Sequence, residues 1–294
     1  MQQVISASRR TDIPAFYSEW FLNRLAAGHV DVLHPFTRQW FPVSLKQEDV
    51  GAIVFWSKNY APLLPKLEQV ERTTRNLFFH FTITGNKDLE LRVPDIKNTT
   101  EDFLYLEKRY SPDHLIWRFD PICITDKLSL DLHEERFIAC AERLKGYAKS
   151  CYISFSHPYR KVIVNFQKYS IHTPVAVPEE QQRSFAQRLA RLAGKYGIRL
   201  FACCNGHLLS NDVLMGRCID GRNLSLLFGT ALETRAAASR KQCGCTRSMD
   251  IGSYNTCAHG CLYCYANTDQ EKASHAPEMI SPDSPALMPK HLMP

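Results

Sequence analysis

Short apolar runs recur along this chain, and most are followed by a stretch with helical spacing. Val4-Ile5-Ser6-Ala7-Ser8 reads as a strand ending in Arg9-Arg10-Thr11-Asp12-Ile13-Pro14, and an amphipathic helix over 17–27 stops at Gly28. Residues 30–45 alternate but contain Pro35 and Pro42, which predicts a hairpin-like excursion rather than a central strand. Further strands are predicted at 52–56, 77–84, 115–120, 152–156, 199–203 and 250–254. Helices are predicted at 61–72, 100–110, 131–145 and 179–196, the second with Thr99 and Thr100 as candidate caps. Strands alternating with helices over short connections predict an α/β fold, a parallel sheet with helices packed outside.

The two faces of these strands differ. Leu77, Phe79, Phe81 and Ile83 point one way, while His80, Thr82 and Thr84 point the other, because strand side chains alternate. Ser6 and Ser8, Arg118 and Asp120, and Ser154 and Ser156 make the same kind of polar face. A parallel sheet covered on both sides is apolar on both. The polar faces therefore predict a partial or full (β/α) barrel whose interior holds a polar ligand.

At 294 residues, 45% hydrophobic and 22% charged, the chain fits one such domain over 1–266. Residues 267–294 carry five prolines and few apolar periods, and read as a tail, either disordered or laid extended over the barrel. No apolar run approaches the eighteen residues of a membrane helix. The start, Met-Gln-Gln-Val-Ile-Ser, has neither a basic segment nor an apolar signal core, so the expected location is the cytoplasm. The net charge of +6 admits an anionic partner such as nucleic acid, yet Lys and Arg are scattered with no run of five, as on a solvated face.

Eleven cysteines change the picture, because in a reducing compartment clustered cysteines read as metal ligands rather than disulfides. Cys123, Cys140 and Cys151 stand alone in apolar segments and read as core. Cys257, Cys261 and Cys264 are spaced C-x3-C-x2-C within Thr256-Cys257-Ala258-His259-Gly260-Cys261-Leu262-Tyr263-Cys264-Tyr265-Ala266. Such a trio can give three irons of a 4Fe–4S cluster a thiolate each; four is the ordinary number, so one corner stays open to a ligand. The alternative is zinc, which wants four tetrahedral ligands; His259 is a cramped fourth, two residues from Cys257. A second set combines Cys243-Gly244-Cys245, Cys218 and one of Cys203 and Cys204. Four thiolates suffice for a closed iron–sulfur cluster or a structural zinc, with unbound thiols as the remaining reading.

The C-x3-C-x2-C loop, with Tyr263 before its last cysteine, resembles the cluster loop of the radical S-adenosylmethionine (SAM) enzymes. The chain as a whole resembles an uncharacterised, mostly bacterial family known as a domain of unknown function. The resemblance rests on Ile5 to Pro14, Phe55-Trp56-Ser57-Lys58-Asn59, Trp117-Arg118-Phe119-Asp120-Pro121, Arg217-Cys218-Ile219-Asp220, and Cys243 through Ala266. That family is itself similar to radical SAM proteins, with the loop at the C-terminal end. It implies Cys203 rather than Cys204 as the strand-end thiolate. The His-Gly-Cys-x-Tyr-Cys-Tyr run also resembles that of spore photoproduct lyase, over the loop alone.

The radical SAM resemblance implies that the open iron takes the amino and carboxylate groups of SAM, with the adenine against Tyr263. A flavodoxin- or ferredoxin-type donor would supply an electron, and the 5′-deoxyadenosyl radical would abstract hydrogen from a small-molecule or peptide substrate. SAM's charged groups need polar partners in a dry site. The catalytic candidates are Arg10, Asp12, His80, Arg118 and Asp120, and the cofactor-binding candidates are Ser8, Lys58, Thr82 and Tyr263, with Arg9 beside them. Because radical SAM enzymes carry the loop after their first strand, the resemblance also implies a circularly permuted barrel. Two rivals remain: a zinc- or cluster-bearing nucleic-acid-binding or DNA-repair-associated protein, and a simple iron–sulfur carrier.

Overall fold

The computed structural model describes residues 2–169, 172–238 and 242–289. In chain order the elements are β1 (Gln3–Ala7), α1 (Ile13–Phe16), α2 (Ser18–Ala27), β2 (His29–Leu33), β3 (Trp40–Ser44), β4 (Val50–Ser57), α3 (Leu67–Glu71) and β5 (Leu77–Thr82). Then come α4 (Ile96–Tyr110), β6 (Leu115–Ile122), α5 (Leu130–Leu144), β7 (Ser150–Phe155), α6 (Arg160–Tyr169), α7 (Glu179–Lys195) and β8 (Arg199–Ala202). The chain continues through β9 (Val213–Met215), α8 (Gly221–Phe228), β10 (Met249–Asp250) and α9 (Gln270–Met279).

Eight strands form one sheet in the order β10-β1-β4-β5-β6-β7-β8-β9, and every pairing in it is parallel. The fold is α/β, and among the described residues the ladder is open, its edges being β10 and β9. The predicted excursion at 30–45 is the antiparallel hairpin β2–β3, outside the main sheet.

The two faces of the sheet carry different cores. On one face Ile5, Phe55, Phe79, Phe81, Trp117 and Phe119 pack with buried residues of the helices, such as Phe21, Phe103, Phe137 and Phe185. Each of these side chains contributes roughly 1.5–3 kcal/mol by leaving water, so this face carries most of the hydrophobic stabilisation. On the other face Val4, Val54, Ile116 and Tyr152 pack against Ile219, Leu224 and Leu232 from the segment around α8. Further along the same strands this second face turns polar: Val4 is followed by Ser6 and Ser8, Ile116 by Arg118 and Asp120, Tyr152 by Ser154 and Ser156. Each strand is thus apolar where it enters and polar where it leaves, and the polar ends gather at the C-terminal edge of the sheet.

Several boundaries differ from the sequence reading. The strand expected at 250–254 is only Met249–Asp250, and the residues after it turn into the cysteine loop. The helix expected over 61–72 is a 3-10 turn followed by α3. Helix α4 begins four residues early, with Asp95 as its cap residue, so Thr99 and Thr100 lie inside it and return their hydroxyls to Asp95 O and Ile96 O. The segment read as a tail contains α9 and packs against the rest of the chain: Trp20 Nε1 donates to Ser284 O, Asp31 N donates to Pro285 O, and Ala276, Ile280 and Leu287 join the main core. Its last residues, 290–294, lie outside the described residues. No helix among the described residues is long and apolar enough to cross a membrane.

One acid on the outer helices sets a pH dependence. Burial pushes Asp102 in α4 from 3.8 to about 6, with the Ala61 N–H working against the shift and Glu101 adding to it. A carboxyl with a raised folded-state pKa favours the protonated protein, so stability falls as pH rises from about 4 to about 6. A shift of that size corresponds to ~3 kcal/mol, which solvent screening of this partly exposed group reduces to about 1 kcal/mol. Asp102→Asn is therefore expected to be more stable than the wild type by about 1 kcal/mol at pH 7 and equal to it near pH 4. Urea unfolding at the two pH values checks this, and equal stability at pH 7 refutes it.

Candidate functional site

A cavity of about 1260 Å³, mouth included, opens at the C-terminal edge of the sheet, where ligands of α/β proteins bind. Both cysteine sets line it, together with the polar ends of β1, β4, β5, β6 and β7. Cys257, Cys261 and Cys264 share this cavity with Cys203, Cys218, Cys243 and Cys245, although the two sets come from different segments.

The three-cysteine loop follows β10, whose pairing with β1 (Ile5 with Met249, Ser6 with Asp250) places it beside the first strand. Gly260, at φ +69, turns the loop, and a Cβ there would stand 2.9 Å from Arg92 Nη2. Its backbone is held from three sides. Tyr17 OH donates to Thr256 O (2.6 Å), Leu262 N to Leu89 O (2.9 Å), Arg92 N to His259 O (3.0 Å), and Gln270 Nε2 to Cys261 O (2.8 Å). Main-chain N–H groups also point at the sulfurs: those of His259 and Asp12 at Cys257, and that of Ala266 at Cys264 Sγ (3.3 Å). Burial pushes all three thiols above their ordinary pKa, and Lys58 works in the opposite direction at Cys261. A bound metal overrides such shifts, because a coordinating thiol is deprotonated outright.

The predicted acids and bases divide into positioning groups and groups that face the cavity. Asp12 accepts from Ala15 N (3.0 Å), Ser57 Oγ (2.7 Å), Lys58 N (2.8 Å) and His259 Nε2 (2.7 Å), so it ties β1, β4 and the cysteine loop together. Arg10 pairs with Asp250 through Nε (3.0 Å) and donates Nη2 to Asp250 O, and Ser8 donates to Asp250 Oδ1 (2.6 Å). Both Asp12 and Arg10 stand in the cavity wall, but their hydrogen-bonding groups are engaged in holding that wall.

Lys58 reaches into the cavity with Nζ 5.6 Å from the Tyr263 ring centroid and 2.9 Å from Glu90 Oε1. Glu90 is buried and also accepts from Thr84 Oγ1 (2.6 Å) and from Tyr263 OH, which fixes the ring expected to meet adenine. Arg118 pairs with Asp120 and donates Nη1 to Cys218 Sγ (3.2 Å); Asp120 also accepts from Ser154 Oγ. Thr82 lines the wall between Lys58 and Arg118 on neighbouring strands.

His80 lies elsewhere. It is fully buried behind the cavity wall, stacked on Trp56 at 4.0 Å, with Nε2 2.6 Å from Cys218 O. Burial, with Arg118 alongside, pushes it down to about 3, so the ring is neutral and donates Nε2–H to that carbonyl. This geometry makes His80 a positioning residue for Cys218.

Sequence reasoning missed Asp250 and Glu90, two buried acids at the centre of these networks. Their partners are up to 244 residues away for Asp250 and 173 for Glu90; Glu90 stands outside every motif, and Asp250 lies inside the Cys243–Ala266 stretch without being singled out there. The one available signal was an acid between two apolar residues, Leu89 and Leu91 or Met249 and Ile251, since buried acids are rare unless paired.

Among the described residues, no group of three or more His, Cys, Asp or Glu side chains is set ready to hold a metal ion. A family model described as a domain of unknown function (DUF1848) matches residues 4–266. No curated protein and no solved structure matches the chain.

Proposed function

The chain belongs to this family of unknown function, and from the site alone we propose that it is a radical SAM enzyme. In this reading Cys257, Cys261 and Cys264 hold a 4Fe–4S cluster on a partial barrel whose cluster strand stands last in sequence. The observation that carries it is the parallel pairing of β10 with β1, which sets the three-thiol loop over the polar C-terminal ends of the strands.

The donor set supports the fit. Three thiols come from one short loop, main-chain N–H groups aim at two of the sulfurs, and Asp12, the acid acting on Cys257, is already engaged. Such hydrogen bonds stabilise thiolates and set cluster potential. When bound, the cluster supplies the electron that splits a C–S bond of SAM, giving methionine and a 5′-deoxyadenosyl radical that takes hydrogen from substrate.

The remaining work falls to this chain's own residues. Glu90 holds the Tyr263 ring in one orientation, offering adenine a fixed apolar face, while Lys58 beside it attracts a carboxylate. Asp120, anchored by Arg118 and Ser154, keeps lone pairs free for an ammonium or a ribose hydroxyl. Trp56 and Phe155 make the cavity walls apolar between these groups, which excludes water from a reactive intermediate.

Anaerobic reconstitution followed by chemical reduction in the presence of SAM tests the reading. The expected outcome is about four irons per chain at this site and release of 5′-deoxyadenosine with methionine. Tight zinc binding with no cleavage of SAM refutes it.

A further inference from the structure

The second cysteine set has a structure of its own. Cys203 lies just past β8, Cys218 follows β9, and Cys243 and Cys245 flank Gly244 on a segment that returns to the same place. Backbone bonds hold that segment there: Thr246 N donates to Ile219 O (2.9 Å), Ala237 N to Cys245 O (2.9 Å), and Gly221 N to Thr246 Oγ1 (2.9 Å). The glycines are required by close approach, since a Cβ on Gly221 would stand 2.1 Å from Glu233 O and one on Gly216 would stand 2.9 Å from Tyr152 Cε2.

The four sulfurs form a continuous chain of contacts. Cys203 Sγ is 3.0 Å from Cys218 Sγ, Cys218 shares a thiol hydrogen bond with Cys245, and Cys245 shares one with Cys243. None of the four is in a disulfide. N–H donors converge on them: Arg118 Nη1 to Cys218 Sγ (3.2 Å) and Ile219 N to Cys245 Sγ (3.4 Å). Arg9 Nη2 is buried with no hydrogen-bond acceptor among the described residues, and its guanidinium lies within electrostatic range of Cys245 and Cys218. A neutral thiol is a weak acceptor, so a buried guanidinium donating to Cys218 and a second, unsatisfied one close by mark a place built for negative sulfur.

We infer that Cys203, Cys218, Cys243 and Cys245 are the ligands of a second metal centre, a tetrathiolate site facing the three-cysteine loop across the shared cavity. The shared chemistry is a thiophilic metal, either one tetrahedral ion such as zinc or an iron–sulfur cluster. Four thiolates around either carry a net charge of about −2, which Arg118 and Arg9 stand beside to compensate. Tetrahedral zinc at about 2.3 Å from each sulfur separates its ligands by about 3.8 Å. The 3.0 Å contact between Cys203 and Cys218 therefore opens by rotation of the side chains when the metal replaces their protons. His80, holding Cys218 O from below, and Ile219 N, bonded to Cys245 Sγ, keep two of the ligands aimed during that change.

The inference does not depend on the radical SAM reading, and its test removes the first set altogether. A variant carrying Cys257→Ala, Cys261→Ala and Cys264→Ala is purified anaerobically after exposure to zinc or to iron and sulfide. It is expected to retain about one zinc or about four irons per chain, and Cys218→Ser on that background is expected to lower the figure at least tenfold. X-ray absorption at the zinc and iron edges distinguishes the two metals. Retention below about a tenth of a metal equivalent with both metals, in a variant whose circular dichroism is that of the folded protein, overturns the inference. Should the triple variant fail to fold, the wild-type background decides: Cys218→Ser loses one site's complement of metal while Cys204→Ser keeps it, and equal losses overturn the inference.

Discussion

Cys261→Ala is expected to lower 5′-deoxyadenosine formation to the level without enzyme, and to remove the iron held by the three-cysteine loop, while leaving the fold intact. The side chain is small and buried, so its loss as packing costs about 1 kcal/mol. The backbone around it is held by groups that do not use its sulfur: Gln270 Nε2 on Cys261 O, the bridge between Glu90 and Cys261, and Leu262 N on Leu89 O. Alanine keeps every one of these bonds. The change therefore removes a thiolate and little else, and two thiolates cannot hold a four-iron cluster that already lacks a protein ligand at one corner. Cys140→Ala is the matched control, since Cys140 is equally buried in α5 but remote from the cavity. Iron counts, circular dichroism and the 5′-deoxyadenosine assay on the two variants check the expectation. An active Cys261→Ala protein with a full iron count removes the basis of the proposed function.

The parts of this molecule that could be read in advance share one property: their signal is local. Strands β1 and β4 to β8 announce themselves as apolar runs, and the polar residues at their C-terminal ends do line the cavity at Ser8, Thr82, Arg118, Asp120 and Ser154. The cysteine spacings are equally local. What escaped was either weakly apolar or distant. Helix α9 buries alanines, Ala273 and Ala276, and carries Pro277 inside it, so neither hydrophobic periodicity nor composition marked it. Its cap, Asp269 accepting from Glu271 N and Lys272 N, was the available sign. Helix α8 is bracketed in the same way by Asp220 and by Gly229 at φ 63. The roles of Arg10, Asp12 and His80 depended on partners that only the fold supplies. A charged residue at a strand end reads the same whether it meets a ligand or a buried counter-ion.

Asp250→Ala is expected to carry a large stability cost, because Asp250 joins β10 to β1. Its carboxylate accepts from Ser6 Oγ (2.9 Å), Ser8 Oγ (2.6 Å), Arg9 N (2.9 Å), Arg10 Nε (3.0 Å) and Gly252 N (3.1 Å). Strand β10 is two residues long and pairs with β1 at only two positions, so the ladder alone holds it weakly. Removing the acid strands the Arg10 guanidinium in a site where its side chain is 11% exposed, a loss of about 3–5 kcal/mol for a broken buried pair. Against a total stability of roughly 5–15 kcal/mol that is a large share. By contrast, Asp113→Ala breaks a pair with Lys149 in which both side chains are more than half exposed, and is expected to cost less than about 1 kcal/mol. The pH dependence follows from the same contacts. Burial pushes the Asp250 carboxyl up, but Arg10, Ser8 and the Arg9 N–H outweigh it and hold the group below the ordinary range. A depressed folded-state pKa gives stability that is complete above the unfolded value of 3.8 and is lost as pH falls below it. The gap in unfolding free energy between wild type and Asp250→Asn, which lacks the charge but keeps an acceptor, is accordingly expected to narrow as the pH drops under about 4. Urea titrations of the three variants at pH 7, and of the wild type and Asp250→Asn at pH 3, measure these differences. An Asp250→Ala protein within about 1 kcal/mol of the wild type at pH 7 would show that the seam between β10 and β1 is held by something other than this carboxylate.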